Sequence, residues 1–393
     1  MHPARSRALQ RACMRGRARP VSMKTSSIDT PALVVDLDAL QRNIATMAAR
    51  AKAWRIALRP HAKTHKCSAI ARRQVEAGAI GIACATVDEA EVMVEAGLPG
   101  VLVTSPLANE HKVRRFTELL QRRPDLAVVA DHPRHVALLA EMARRYDVVA
   151  SVLVDVDVGD HRTGTATLAA AVNLAQQIQE ASNLRFAGLQ GYAGGIQHAA
   201  AFVQRSSEAA KVAAQLAELR TRLEHLGLAP SVITGGGTGT HAIDGAGGVF
   251  TELQVGSYIF MDAEYAKVEL DDELQSPFQP ALYVQTTVIS SNHRDRVTTD
   301  GGTKAFALNG PPPEIVSGPA AGCAYEFQGD EHGRVNLKPG VRLSVGDRLE
   351  CLTPHCDPTV CLYDRIFCVR GDEVVDVWPI DARGRRFAGT QTV

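Results

Sequence analysis

Short runs of β-branched and small apolar residues alternate with longer amphipathic segments from Thr30 to about Ala266. The longer segments, such as Asp38–Ala53 and Ala200–Leu226, repeat apolar residues every three or four positions, as a helix with one buried face does. The short runs are Ala32–Asp36, Ile56–Pro60, Gly81–Ala85, Gly100–Thr104, Leu126–Ala130, Val148–Val156, Arg185–Gln190, Ser231–Thr234 and Glu252–Val255. Repeated strand–helix units predict an α/β fold, a (β/α)₈ barrel of the TIM type, although nine runs are one too many for such a barrel.

The pattern changes after about residue 266. Valine, threonine and leucine alternate with polar residues between turn signals at Asn309-Gly310, Pro339-Gly340 and Gly371, and no convincing helix follows. Alternation with a period of two is typical of half-buried strands. Residues from about 267 to 393 therefore predict a second domain, mostly antiparallel β.

Composition narrows the classes of partner. The chain of 393 residues has 43 basic and 43 acidic residues, so no global field attracts nucleic acid or an anionic membrane surface. No stretch approaches the roughly 20 apolar residues of a membrane span. With 45% hydrophobic residues the chain can bury a large core, and a small-molecule partner is the default expectation.

Cysteine usage and the N-terminal residues bear on location. The eight cysteines form no CxxC pair and follow no apolar secretory segment, so we expect reduced thiols and a cytoplasmic protein. Residues 1–22 contain six arginines and no acidic residue. We interpret them as a disordered or non-native extension, either a transit peptide or a segment upstream of a start at Met23.

The sequence Arg59-Pro60-His61-Ala62-Lys63-Thr64-His65-Lys66 begins at the end of the second run. Residues at the carboxyl ends of barrel strands face the mouth of the barrel, where active sites lie. A lysine binds an aldehyde cofactor once its amine loses its proton, and partial burial beside other cations lowers its pKa. Lys63 is therefore a candidate cofactor lysine, and a surface lysine in a basic loop is the alternative.

A glycine-rich segment, Thr234-Gly235-Gly236-Gly237-Thr238-Gly239-Thr240, follows a late run, and Gly256-Ser257-Tyr258 follows the last. Glycines let backbone N–H groups crowd around an anion, and barrels commonly bind phosphate in the loops after strands seven and eight. No Gly-Lys-Ser/Thr follows, which excludes a P-loop. The alternative is a flexible turn.

Two further segments carry polar side chains. The first, Asp155–Gly164, contains Arg162, a candidate contact for a cofactor oxygen, and Asp160, for which a helix-capping role is expected. The second is Pro354-His355-Cys356-Asp357-Pro358-Thr359. In an extended segment His355 and Asp357 would share one face and Cys356 the other, so this pair is a candidate site for Mn²⁺, Mg²⁺, Co²⁺ or Zn²⁺. An incidental His-x-Asp on the surface is the alternative.

Taken together, these segments resemble the family of D-threonine aldolases and D-serine dehydratases, relatives of alanine racemase. The resemblance runs from about Thr30 to Arg383 and rests on the segments above and on Gly191-Tyr192-X-Gly194, Thr251-Glu252-Leu253-Gln254-X-Gly256-Ser257-Tyr258-X-Phe260-Met261-Asp262 and Asp330-Glu331-His332-Gly333. It implies a pyridoxal phosphate (PLP) barrel over residues 38–266 and a β domain made of residues 23–37 and 267–393 that carries the metal site. It also implies a head-to-tail homodimer.

The resemblance also assigns site residues. The cofactor-binding set it implies is Lys63, Arg162, Tyr192, Gly236, Gly237, Thr238, Gly239, Gly256, Ser257 and Tyr258, with Arg162 near the phenolic oxygen and Tyr192 near the pyridine ring. His355 and Asp357 match the metal ligands, with Mn²⁺ the first expectation. Lys63, His355 and Asp357 are the expected catalytic residues.

The resemblance leaves two reactions on a D-β-hydroxy-α-amino acid. Cleavage of the Cα–Cβ bond gives glycine and an aldehyde, whereas loss of the Cα proton and the β-hydroxyl gives a keto acid. Dehydratases of this family have a cysteine two residues after the metal histidine, where this chain has Asp357, which favours the aldolase. The segment Asp300-Gly301-Gly302-Thr303-Lys304 departs from the aldolase pattern, so D-3-hydroxyaspartate remains open as a substrate beside D-threonine and D-serine.

Two functions of another class remain. A non-catalytic PLP-binding protein would share the barrel and its lysine, but such carriers lack a β domain like residues 267–393. A metal-dependent barrel hydrolase would bind no PLP, and so would have neither its absorbance nor a lysine that borohydride can trap.

Overall fold

The computed structural model of the protein describes residues 23–272 and 276–384. Its first two strands are β1 (Met23–Lys24) and β2 (Ala32–Asp36), and neither belongs to the barrel. The barrel strands are β3 (Ala57–Leu58), β4 (Ala83–Cys84), β5 (Leu102–Val103), β6 (Ala127–Ala130), β7 (Ala150–Asp155), β8 (Leu184–Gly191), β9 (Val232–Gly235) and β10 (Glu252–Leu253). They pair in parallel in the order β3-β10-β9-β8-β7-β6-β5-β4. The surplus predicted run, Ala32–Asp36, is thus β2, which lies in the other sheet.

The barrel closes between its first two strands. A parallel bridge joins His61, just after β3, to Ala83 in β4, and the Ala83 amide donates to the carbonyl of Pro60 at 2.9 Å. Inside the barrel Leu102, Val129 and Leu153 pack in one cluster. The predicted (β/α)₈ barrel is confirmed.

Eight helices accompany the barrel strands. They are α1 (Leu37–Trp54), α2 (Ser68–Glu76), α3 (Val87–Glu95), α4 (Glu110–Arg122), α5 (Pro133–Arg145), α6 (Leu168–Glu180), α7 (Phe202–His225) and α8 (His241–Ala246). Side-chain oxygens of Asp36, Thr86, Asn109 and Thr167 accept amide hydrogens at the first turns of α1, α3, α4 and α6, as short polar residues do at helix starts. At these four helices the sequence therefore supplies the cap from the residue just before the helix.

The second sheet has ten strands and is mostly antiparallel. Besides β1 and β2 it contains β11 (Leu282–Ser290), β12 (Arg296–Thr299), β13 (Glu314–Ile315), β14 (Ala324–Phe327), β15 (Gly333–Asn336), β16 (Arg348–Leu352), β17 (Arg365–Arg370) and β18 (Glu373–Pro379). Strand β2 lies between β11, to which it is antiparallel, and β17, to which it is parallel. The chain before the barrel is therefore built into the sheet that follows it.

Among the described residues of the second domain, one short α-helix, α9 (Cys356–Val360), interrupts the strands. The expectation of no helix after residue 266 is thus wrong at this point. Pro358 falls within the first turn of α9, where a missing N–H costs nothing, and the Asp262 carboxylate accepts the Cys356 amide hydrogen at 2.9 Å. An acceptor 94 residues earlier in the chain thus starts this helix.

Residues 1–22, which the sequence predicts to be an extension, lie outside the described residues. Within residues 23–272 and 276–384, no helix combines the length and the hydropathy needed to cross a membrane. One large cluster of buried hydrophobic residues continues from the barrel helices into the second sheet, for example from Leu40 and Ile70 to Val284 and Ile366. The two domains thus share a core.

Candidate active site

A cavity of about 350 Å³ lies at the carboxyl ends of the barrel strands, with the second domain forming one wall. This volume suits a small-molecule ligand. It is lined by nine of the residues predicted for the site, which are Lys63, Arg162, Tyr192, Gly237, Thr238, Gly256, Ser257, His355 and Asp357. The other three, Gly236, Gly239 and Tyr258, do not line it.

Lys63 lies on a 3₁₀ turn, Ala62–Thr64, directly after β3. The turn is fixed because His61 Nδ1 accepts the Lys63 amide hydrogen at 3.2 Å. The Lys63 Nζ atom lies 3.5 Å from Asp357 Oδ2 and 6.0 Å from the centroid of the Tyr192 ring. A lysine of the barrel and a carboxylate of the second domain therefore meet in one cavity.

The pKa of Lys63 is raised, contrary to the expectation that it would be lowered. Burial is the largest single effect and lowers this pKa, but Asp357 and Tyr192 together raise it by more. The basic residues near Lys63 in the sequence do not surround it with unpaired positive charge. Among these residues, burial lowers the pKa of His61 well below the ordinary value and that of His65 to about 4, so both are neutral at neutral pH.

The other two cations of this neighbourhood are paired with carboxylates. Arg59 donates to both carboxylate oxygens of Glu252, at 2.7 and 2.8 Å, and Lys66 pairs with Glu89, whose side chain is buried. Sequence proximity to Lys63 therefore overstated the positive charge that Lys63 experiences.

The glycine loop after β9 is held by Gln197, a buried side chain that sequence reasoning did not identify. Its Oε1 atom accepts the amide hydrogens of Gly239 and Thr240 at 3.0 and 3.2 Å. A Cβ atom on Gly239 would overlap the backbone of Gln197, and a Cβ on Gly236 would come within 2.8 Å of Asp244 Oδ2. Packing behind the loop thus leaves no room for a side chain at Gly236 or Gly239.

Open amide donors remain where the loop meets the cavity. Within the described residues, the backbone amides of Thr238, Gly256 and Ser257 have no protein acceptor, and all three residues line the cavity. A Cβ on Gly256 would come within 2.6 Å of the Thr64 hydroxyl oxygen, so this position accepts no side chain. Clustered N–H donors without acceptors form a cradle that fits a phosphate group.

Tyr258 contributes to this cradle only through its backbone. Its amide donates to Thr238 Oγ1 at 2.9 Å, while its ring is buried against Phe278 and its hydroxyl accepts a hydrogen bond from Gln74 Nε2 at 3.0 Å. The Tyr258 side chain therefore lies behind the loop, outside the cavity lining.

The segment after β7 places Arg162 beside Tyr192, with the guanidinium carbon 5.4 Å from the ring centroid. Both residues line the cavity near Lys63. Asp160 accepts the amide hydrogens of Gly194 and Gly195 at 2.6 and 2.9 Å. It therefore fixes the loop after β8 and does not cap the next helix, as the sequence had suggested; Thr167 caps that helix.

His355 and Asp357 both line the cavity, but the segment between them is not extended. His355 is the residue before α9, and Cys356 and Asp357 are its first helical residues. The prediction that Cys356 points to the opposite face is wrong in its geometry, since its Sγ atom lies 3.4 Å from Asp357 Oδ1. Cys356 is nevertheless fully buried and does not line the cavity.

The charges of these two neighbours differ. Burial raises the pKa of Asp357, but Lys63, His355 and neighbouring hydrogen-bond donors together lower it below its ordinary value, so the carboxylate is ionised at neutral pH. Burial raises the pKa of the Cys356 thiol well above its ordinary value. Imidazole and carboxylate are suitable ligands for a divalent cation, whereas a neutral buried thiol is not. In the part of the chain that is described, no group of three or more such side chains could hold a metal.

Further polar residues surround the site without having been predicted. His198 lies on the His355 side of the cavity, and its ring packs 4.5 Å from that of Tyr265. Gln254 Nε2 donates to Gln190 Oε1 at 3.1 Å, and Gln190 Nε2 donates to Asp155 Oδ1 at 2.8 Å, so the floor of the cavity is a hydrogen-bonded network. Isolated polar residues like these carry no spacing signal that a sequence could reveal.

Two family models match this chain. The one described as alanine racemase, N-terminal domain, matches residues 35–264, and the one described as putative serine dehydratase domain matches residues 281–369. The first match falls on the barrel with its preceding helix, and the second falls on the second sheet up to β17. Apart from Tyr265, every residue that lines the cavity therefore lies within a matched segment.

Individual proteins are similar over nearly the whole chain. A D-threonine aldolase of Arthrobacter sp. is 39% identical over 361 residues, which is 91% of this chain and 93% of the Arthrobacter protein. A 3-hydroxy-D-aspartate aldolase of Paracoccus denitrificans is 35% identical over 369 residues, 93% of this chain and 95% of that protein. Both relatives are named aldolases, and aldolases are carbon–carbon lyases. The crystal structure of D-threonine aldolase from Filomicrobium marinum superposes with a TM-score of 0.89 at 36% identity, covering 94% of this chain and 99% of the other.

Proposed function

Because this chain belongs to the family of the alanine racemase N-terminal domain, joined to a putative serine dehydratase domain, we propose that it is a metal-dependent aldolase. Its substrates would be D-threonine and related D-β-hydroxy-α-amino acids, and its products glycine and an aldehyde. The observation that carries the proposal is the 3.5 Å approach of Lys63 Nζ to Asp357 Oδ2, which brings a candidate cofactor lysine to a candidate metal ligand.

The fold and the aldolase relatives imply pyridoxal phosphate as the cofactor. When bound, PLP supplies a conjugated ring that accepts the electron pair released at Cα. Lys63 would carry the aldehyde carbon, and the open amides of Thr238, Gly256 and Ser257 would bind the phosphate. Arg162 and Tyr192 lie where they would flank the ring.

His355 and Asp357 would hold the cation, with Mn²⁺ first and Mg²⁺, Co²⁺ or Zn²⁺ as alternatives. Its charge would favour loss of the proton from the β-hydroxyl of the substrate. Burial lowers the pKa of His198, which leaves a neutral imidazole on this wall that can accept the proton. Oxygen and nitrogen ligands, with the Cys356 thiol protonated, suit a hard cation.

Product analysis tests the reaction. Purified protein would be incubated with D-threonine, D-serine and D-3-hydroxyaspartate, with and without Mn²⁺. We expect acetaldehyde and glycine from D-threonine in the sample with Mn²⁺. Keto acid and ammonia, without glycine, would show a dehydratase and contradict the proposal.

The second candidate is a 3-hydroxy-D-aspartate aldolase, which the Paracoccus relative favours. A marked preference for D-3-hydroxyaspartate, with glyoxylate and glycine as products, would replace the D-threonine assignment and leave the reaction class unchanged. Protein with no PLP-dependent turnover of any of the three substrates would instead favour a non-catalytic PLP-binding protein.

A further inference from the structure

One carboxylate, that of Glu264, lies between two histidines of the cavity wall. Glu264 Oε1 is 3.5 Å from Nδ1 of His198, and Glu264 Oε2 is 3.8 Å from Nδ1 of His355. The two imidazole rings are 6.2 Å apart. Both histidines therefore turn the same ring nitrogen towards a single negative charge.

A second group contacts the same nitrogen of His355. The side-chain amide of Asn309 lies 2.9 Å from His355 Nδ1 through the atom placed as Nδ2. Rotation of the amide by half a turn exchanges its nitrogen and oxygen, and only the hydrogen-bond network decides between them. Because Glu264 lies on the same side of the ring, a proton on Nδ1 is electrostatically favoured, and the amide oxygen then accepts it.

We propose that Glu264 and Asn309 are positioning residues that keep the proton of His355 on Nδ1, and that Glu264 does the same for His198. Each ring then carries an unprotonated Nε2 atom. The inference rests on the proposed function, because the cation is the partner that Nε2 of His355 would bind.

The placement of one proton matters because only an unprotonated ring nitrogen can bind a metal ion. Groups that hydrogen-bond to the far nitrogen of a metal-bound histidine fix its tautomer, and removing them typically weakens metal binding about 10- to 100-fold. Glu264 does not itself complete a metal site, since the described residues contain no group of three His, Cys, Asp or Glu that could hold an ion. Its effect on the metal would therefore pass through the histidines.

Mn²⁺ binding to metal-stripped, PLP-loaded protein tests the inference without a turnover assay. Free Mn²⁺ would be measured by electron paramagnetic resonance in about 1 M salt, where screening over about 3 Å suppresses the long-range effect of a lost charge. We expect the dissociation constant to rise about tenfold or more in Glu264→Gln and in Asn309→Ala. Asn309→Asp should stay within about threefold of wild type, because a carboxylate can accept from Nδ1–H but cannot donate to it.

Two control variants set the expected limits of Mn²⁺ binding, one unchanged and one abolished. Glu269→Gln changes a neighbouring carboxylate that accepts the Phe202 amide hydrogen at 2.9 Å, and it should leave Mn²⁺ binding unchanged. His355→Ala should abolish binding. Retained PLP absorbance in every variant shows that the barrel site remains folded.

The inference is overturned if Glu264→Gln and Asn309→Ala both bind Mn²⁺ within twofold of wild type while His355→Ala does not bind it. It is equally overturned if Asn309→Asp loses as much affinity as Asn309→Ala, since Asn309 would then donate to Nδ1. Failure of the proposed metal site looks different, because the wild-type protein would itself bind no Mn²⁺.

Discussion

Replacing Asp262 should disrupt the metal-binding part of the candidate site and leave its PLP-binding part intact. The Asp262 side chain is fully buried, and its two oxygens accept the amide hydrogens of Tyr265 and Cys356, each at 2.9 Å. The second of these bonds starts helix α9, which carries Asp357. Asp262→Ala would leave both amides without an acceptor.

The magnitude follows from those two bonds. A buried donor that loses its partner costs about 1–3 kcal/mol, so two cost roughly 2–6 kcal/mol. With an unfolding entropy of about 2.1 cal/mol/K per residue, the 393-residue chain loses roughly 1 °C of melting temperature per kcal/mol. We therefore expect a fall of about 2–7 °C in Asp262→Ala. Asp262→Asn should show about half of this fall, because its single oxygen can accept from one amide.

The assay combines thermal unfolding with Mn²⁺ binding. Loss of the α9 start should weaken Mn²⁺ binding at least tenfold, whereas PLP absorbance should persist because Lys63 and the phosphate cradle lie in the barrel. A variant that melts within 1 °C of wild type and binds Mn²⁺ normally would refute the argument that Asp262 positions the metal ligands.

Lys63→Ala should abolish turnover and the absorbance of lysine-bound PLP, and PLP trapped by borohydride on another lysine would contradict the assignment. Chelation and Asp357→Ala should each remove aldolase activity with the chromophore intact, whereas Cys356→Ala should remain largely active because its thiol is neutral and outside the cavity; the reverse pattern would exchange their roles. Burial raises the pKa of Asp155 to about 6. The folded state therefore holds this proton more tightly than the unfolded chain does. The contribution of Asp155 to the free energy of unfolding is thus greatest below about pH 4 and is lost as the pH rises through about 6. If Asp155→Asn shows the same fall in stability with pH, this prediction is contradicted. Light scattering should give the mass of a homodimer, and full activity in a monomer at low protein concentration would refute the predicted dimer.

The barrel and the family were predictable because their signals are periodic or ordered along the chain. Strand runs such as Ala32–Asp36 and Ser231–Thr234 coincide with β2 and β9 to within a residue or two. The matches to both family models confirm the resemblance that the motifs indicated. Placing β2 in the second sheet needed that resemblance, because a buried strand has the same local sequence in either sheet.

Helix α9 shows what the local sequence obscures. An alternating His-x-Asp was interpreted as extended, although Pro358, two residues after Cys356, is acceptable in the first turn of a helix. The group that decides between the two is Asp262, which lies 94 residues earlier than Cys356. A cap supplied from such a distance leaves no mark in the sequence near the helix.

The prediction of a lowered pKa for Lys63 was wrong for a related reason. The sequence shows cations within four residues of Lys63 but not the carboxylates that neutralise them. Glu252 reaches Arg59 from the other end of the barrel sequence, and Asp357 reaches Lys63 from the second domain. Contacts between residues far apart in the chain therefore set the charge of the site, while motifs identify only its members.

Since Lys63 lies on the barrel and Asp357 on the second domain, the site exists only while the two domains keep their positions. The structure holds the lysine loop to the second domain directly. The Ala382 amide donates to the Lys66 carbonyl at 2.9 Å, and Asp381 accepts hydrogen bonds from the Ser68 amide, also at 2.9 Å, and from the Ser68 hydroxyl. These contacts lie within five residues of Lys63 in the sequence. The C-terminal strand region thus fixes the loop that carries the lysine, just as Asp262 of the barrel domain fixes the helix that carries the metal ligand.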